Sequence, residues 1–86
     1  MKYSAAIRNR FEQAVACFGQ AEHERAHALC LQVLDRHPDH GDALHLLGVI
    51  CLRNGRAAEA ADWLQRALDN NPDHAEIQLN LGNALR

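Results

Sequence analysis

The sequence predicts an all-helical fold on three observations. β-Branched residues are too few for a sheet, strong helix formers dominate, and a 34-residue period is marked by proline. Threonine is absent, and Val15, Val33, Val49, Ile7, Ile50 and Ile77 are the only β-branched residues in a chain of 86, too few to furnish strands. Alanine and leucine, both good helix formers, take their place. Pro38-Asp39-His40 and Pro72-Asp73-His74 stand 34 positions apart. The same shift lays Val15 on Val49, Cys17 on Cys51, Ala26 on Ala60, Leu34 on Leu68, Asp35 on Asp69 and Leu47-Gly48 on Leu81-Gly82. So many identities at one offset define an internal repeat.

Each element follows from local pattern. Tyr3 to Phe18 is expected to be a helix, with Ile7, Phe11, Ala14, Val15 and Phe18 near one side, interrupted at Gly19-Gln20. Glu22 to Arg36 is its partner, turning Ala26, Leu29, Cys30, Val33 and Leu34 inward. A third helix runs from Asp42 to Arg53, because Leu44, Leu47, Ile50 and Cys51 recur at helical spacing. Asn54-Gly55 ends it, with Gly55 suited to a left-handed turn. A fourth runs from Ala57 to Asn70 with Ala60, Ala61, Leu64, Ala67 and Leu68 inward. It stops before Pro72, since the residue preceding a proline avoids the helical region. Asp73 with Glu76, and more weakly Asp39 with Asp42, have the spacing of a capping box. The fifth helix, Ala75 to Arg86, has no partner after it. The expected organisation is a single domain over residues 1–86, with repeats at about 7–40 and 41–74 and a partial one at 75–86.

Composition narrows the functional classes. Hydrophobic residues make up 48% and charged residues 23%, with a net charge of -2. That balance suits a soluble globular chain and leaves no basic field for a nucleic-acid backbone. No apolar run approaches the ~18–20 residues that cross a bilayer, and Met1-Lys2-Tyr3-Ser4 leads into charged residues rather than a signal-peptide core. Neither nucleic acid nor membrane is expected as a partner. Cys17, Cys30 and Cys51 lack CxxC spacing, which suits reduced thiols and a cytoplasmic location.

A 34-residue helix–turn–helix unit closed by proline resembles the tetratricopeptide repeat. In the second unit Leu44 stands at the tryptophan slot, Leu47-Gly48 matches the Leu-Gly pair, and Cys51 takes the tyrosine slot. Ala60 and Leu64 follow, then Ala67 and the closing Pro72. In the first unit Ala14, Cys17, Ala26, Cys30 and Pro38 match, and the third offers Leu81, Gly82 and Leu85. The resemblance implies an all-α, right-handed α-solenoid of two and a half repeats and five helices. Small residues such as Gly48, Gly82, Ala60 and Ala67 would let partner helices approach closely. Such units bury their faces by stacking, and roughly three are usually needed for stability. The expected outcome is that Ile77, Leu81 and Leu85 form a self-association face, most simply of a two-fold dimer, or that the chain is cut from a longer solenoid.

The same resemblance implies a concave groove lined by the first helix of each unit, and a protein or peptide as its ligand. The groove residues expected are Arg8, Phe11, Glu12 and Val15; Asp42, His45, Leu46, Val49 and Arg53; and Leu79, Asn80 and Asn83. Their centre is apolar, which suits an amphipathic helix or an extended apolar peptide. Some family members grip a terminal carboxylate with Lys, Arg and Asn, but those slots hold Phe11, Val15, His45 and Leu46. Others, similar to the repeat arms of O-linked GlcNAc transferases, present a ladder of asparagines. Asn80 resembles one rung, but Leu46 and Glu12 stand at the equivalent places. The function expected is therefore a non-catalytic interaction scaffold, or else the repeat arm of a larger glycosyltransferase or sulfotransferase.

No cofactor, metal or catalytic group is expected. His23 and His27 are spaced to offer two nitrogens to one ion, yet no cysteine completes a known zinc spacing. The cysteines fall on core slots, where cysteine behaves as a small hydrophobe. Trp63 is expected to pack on the fourth helix.

Overall fold

Five helices follow one another: α1 (Ala5–Gly19), α2 (His23–Arg36), α3 (Gly41–Arg53), α4 (Ala57–Asn70) and α5 (Ala75–Ala84). The computed structural model describes residues 3–86, among which there is no strand. Met1 and Lys2, which open the segment read for a leader, lie outside the described residues. The fold is the all-α solenoid that the repeat implies.

α1 begins at Ala5 rather than Tyr3, because Ser4 caps it by accepting a hydrogen bond from the Ile7 N–H at 3.2 Å. Tyr3 instead stacks on His40, ring centroids 4.3 Å apart. The hairpin turns share one device. Gly55 has φ 78° and Ala21, its repeat equivalent, φ 60°. In each turn the following N–H bonds back to a cysteine carbonyl at 2.8 Å: Glu22 to Cys17, and Arg56 to Cys51. The left-handed residue of the first turn is thus Ala21, not the Gly19-Gln20 pair. A Cβ there costs about 1–2 kcal/mol, which the closing hydrogen bond and the packing of α1 on α2 offset.

The Pro-Asp-His segments start α3 and α5, but not through their aspartates. The His40 side chain accepts from the Ala43 N–H through Nδ1 at 3.1 Å, and His74 Nδ1 accepts from the Ile77 N–H at 3.4 Å. Nδ1 is bonded to Cγ as an aspartate Oδ is, so the imidazole reaches the same donor. The backbone of the first segment is held in turn by α4. The Arg66 guanidinium donates to the Pro38 carbonyl at 3.1 Å, and the Asn70 amide donates to the Asp39 carbonyl at 2.9 Å. His40 is 4% exposed, lying under Tyr3 and near Phe11. We expect His40→Ala to cost at least about 1 kcal/mol, in the range for a lost N-cap, seen as a lower urea midpoint. His40→Asn, which keeps an acceptor, should recover part of that loss; equal loss in both would refute the capping role.

The core centres on α3, where Ala43, Leu44, Leu47, Ile50 and Cys51 are fully buried. Around them lie Ala14 and Cys17 of α1, Ala26, Cys30, Val33 and Leu34 of α2, and Ala60, Leu64 and Ala67 of α4. Gly48 makes the closest approach: a Cβ built there would stand 2.5 Å from Leu64 Cγ. Gly82, its repeat equivalent, has nothing within 4 Å of that position. On α5, Ile77 is 3% exposed and belongs to the core. This corrects its assignment to a self-association face, because α5 turns Ile77 toward the preceding hairpin. Leu81 is half-buried and Leu85 is 69% exposed. α5 ends at Ala84, two residues short of Arg86.

Candidate binding groove

The backbone of α3 approaches both α1 and α5, whereas α2 and α4 keep their backbones farther apart among the described residues. The odd-numbered helices therefore lie on the inside of the curve. A depression of about 470 Å³ opens there, lined by Phe11, Val15 and Phe18 of α1, Asp42, His45, Leu46 and Val49 of α3, and Glu76 of α5. Its walls combine aromatic and aliphatic side chains with carboxylates at one end.

Six of the twelve residues expected in the groove converge here: Phe11, Val15, Asp42, His45, Leu46 and Val49. Val15 is 47% exposed rather than part of the inward stripe of α1. Arg53 stands at the rim, its guanidinium carbon 5.4 Å from the Phe18 ring centroid. Arg8, Glu12, Leu79 and Asn83 are exposed on the same helices but do not line the depression. Asn80 is engaged already, its amide 3.0 Å from His45 Nε2. Phe18 has the spacing of the packed side of α1, and nothing in that spacing distinguishes a groove residue from a core one. Half-buried, it does both: it packs against the core and lines the depression.

His45 sits between these walls, with the His74 ring 5.4 Å away edge-on. Burial lowers its pKa, reinforced by His74 and opposed by Glu76 and Asp42. The ring is therefore neutral at pH 7 and serves as a hydrogen-bonding group rather than a cation. A depressed histidine pKa gives stability that is present above the unfolded-state value, about 6.5, and lost as the pH falls below it.

A larger depression of about 540 Å³ lies at the other end, between α1 and α2, lined by Ser4, Ala6, Ile7, Arg10, Leu31, Gln32, Asp35 and Arg36. Its walls are mostly polar and exposed, and Arg10 donates to Gln32 at 2.8 Å beside it. It has few apolar side chains, whereas the inner depression is lined mainly by apolar ones.

The histidine pair singled out in the sequence does not converge. His23 packs near Phe18, ring centroids 5.6 Å apart, and its Nδ1 is buried with no hydrogen-bond partner in the protein. His27 turns elsewhere: its Nε2 is 4.0 Å from Glu59 Oε2. The Cys51 thiol donates to that same oxygen at 3.1 Å. Donor atoms of His27, Cys51 and Glu59 all lie within 4.8 Å of one another. Burial, with Glu59 adding to it, pushes the Cys51 thiol up to about 12. Burial alone pushes Cys30 up to about 12. Both are thiols at neutral pH, which suits packing rather than nucleophilic attack. Trp63 lies half-buried on α4 with the Arg66 guanidinium carbon 4.9 Å from its ring centroid.

Stacked helical hairpins, small residues at the close crossing and an inner wall of first helices define a helical-repeat solenoid. The chain belongs to the tetratricopeptide repeat family, whose model matches residues 3–75. Among solved structures it is similar to a mutant O-GlcNAc transferase from Thermobaculum terrenum, at 32% identity and a TM-score of 0.92 over 99% of this chain. It also shares its fold with PilF of Pseudomonas aeruginosa, at 18% identity and a TM-score of 0.83 over 92% of this chain. This chain spans 16% and 36% of those two proteins, respectively. No described helix is long and apolar enough to cross a membrane.

Proposed function

We propose that the chain is a non-catalytic protein-interaction scaffold that holds a peptide or amphipathic helix against α1, α3 and α5. The apolar depression formed by Phe11, Val15, Phe18, Leu46 and Val49 carries this reading. Apolar anchors at helical spacing would fill it, and Asp42 and Glu76 at its edge would favour a basic residue beside them. Self-association through Leu81 and Leu85 completes the proposal, since both are left partly or largely uncovered at the end of α5. The three cysteines are free, which supports a reducing, cytoplasmic setting.

Leu46→Asp and Val49→Asp should each abolish capture of a partner from source lysate while leaving the far-ultraviolet circular dichroism of α-helix unchanged. Retained capture by both would remove the groove from the reading. Sedimentation equilibrium should give a dimer, converted to a monomer by Leu85→Asp. A monomeric wild type at high concentration would end the self-association part alone.

A second reading is supported by the 32% identity to the transferase: the chain is the repeat arm of a larger glycosyltransferase of that kind, or of a sulfotransferase. Coding sequence continuing in frame to a catalytic domain would favour it over a free-standing scaffold.

A further inference from the structure

We propose that His27, Cys51 and Glu59 form a zinc site that ties together three helices. The residues come from α2, α3 and α4 in turn. They present the nitrogen, sulfur and oxygen donors from which zinc sites are built. An imidazole with a thiolate selects a borderline or soft ion and disfavours magnesium and calcium, which take oxygen ligands.

The geometry is close to what an ion needs. Zinc bonds of about 2.0–2.3 Å in a tetrahedron put the donors roughly 3.3–3.8 Å apart. The Cys51 sulfur and Glu59 oxygen are 3.1 Å apart, and that oxygen is 4.0 Å from His27 Nε2. Small side-chain rotations suffice, and the two residues that must make them are the accessible ones. The His27 side chain is 25% exposed and that of Glu59 46%, whereas Cys51 is fully buried and supplies the fixed point. His27 also lines a depression of about 390 Å³ with His23, Glu24, Asn54 and Arg56. The exposure of His27 and Glu59 leaves an ion an entry path from solvent.

The ionisable groups around the thiol are Glu59, His27, Arg56 and Cys30. Arg56, 3.9 Å from Glu59, opposes a cation, but its side chain is 61% exposed and free to turn outward. Binding replaces the S–H bond of Cys51 by a sulfur–zinc bond and releases the proton to solvent. No oxidation state changes. The α2 and α4 backbones, which meet through α3, would gain a direct link.

The test is titration of the reduced full chain with Zn²⁺ by calorimetry and with Co²⁺ by absorption. One ion per chain is expected, with a thiolate-to-cobalt charge-transfer band in the near ultraviolet. Apparent affinity should rise by about tenfold per pH unit as the one thiol proton is released. Cys51→Ala should remove the band and weaken Zn²⁺ binding by about 100-fold or more, the upper end for groups that merely orient a ligand. His27→Gln and Glu59→Gln, at accessible positions, should weaken it with unchanged circular dichroism, and Arg56→Gln should tighten it. Absence of Zn²⁺ uptake would overturn the proposal. So would uptake without the sulfur band or insensitive to His27→Gln, since the ion would then sit on other histidines. The wild-type band and the His27→Gln result decide the matter even where Cys51→Ala folds poorly.

Discussion

Gly48→Ala lowers the stability of this chain, although alanine is the better helix former. The new methyl would sit 2.5 and 2.6 Å from two carbons of Leu64, a side chain with no exposed surface. Overpacking of this kind costs about 1–3 kcal/mol. Alanine returns about 1 kcal/mol of helix propensity, and a contact this short puts the penalty at the upper end. The net loss of about 1–2 kcal/mol corresponds to a fall in Tm of roughly 5–15 °C for a domain of this size. Gly82→Ala, one repeat on, meets open space and should raise the Tm by virtue of the same propensity. The pair is measured by thermal denaturation of both variants at one protein concentration. A Gly48→Ala chain as stable as wild type would mean that α3 and α4 do not cross where the structure puts them.

Leu47→Ala is expected to be more damaging still. Leu47 has no exposed surface and sits on the helix that touches all four others. Leucine-to-alanine replacements at such sites cost about 2–5 kcal/mol, a large share of the ~5–15 kcal/mol that holds a typical domain together. The variant should be substantially unfolded at physiological temperature by circular dichroism. Leu81, the same position one repeat later, is only half-buried, and Leu81→Ala should cost less than half as much in the isolated protomer. Near-equal losses would show that Leu81 is as deeply buried in solution as Leu47, as a tight dimer would require.

The helical plan was legible because helix period and repeat period reinforce each other. α4 runs from Ala57 to Asn70 as its pattern predicts, fixed by Gly55 before it and Pro72 after it. The ends of α1 were harder to place. Tyr3 has a better partner in the His40 ring than in another helical turn, and that partner lies a full hairpin away in sequence. The caps escape a spacing argument for a local reason: histidine is an uncommon N-cap, and the Asp-x-x-Glu spacing points to the residue beside it. Half of the residues expected on the inner wall line the depression, since α3 presents His45, Leu46 and Val49 on the face opposite its core stripe. Periodicity alone points to Leu79 and Asn83, yet the depression is formed mainly where α1 and α3 adjoin. The grouping of His27, Cys51 and Glu59 could not be read from spacing at all, because its members lie on three different helices.

The burial of α3 has a mechanical consequence. Among the described residues the backbone of the α1–α2 hairpin meets the other helices only through that one rod, as a cover meets its spine. A guest wedged between α1 and α3 would then widen that side while leaving the crossing of Gly48 with Leu64 untouched.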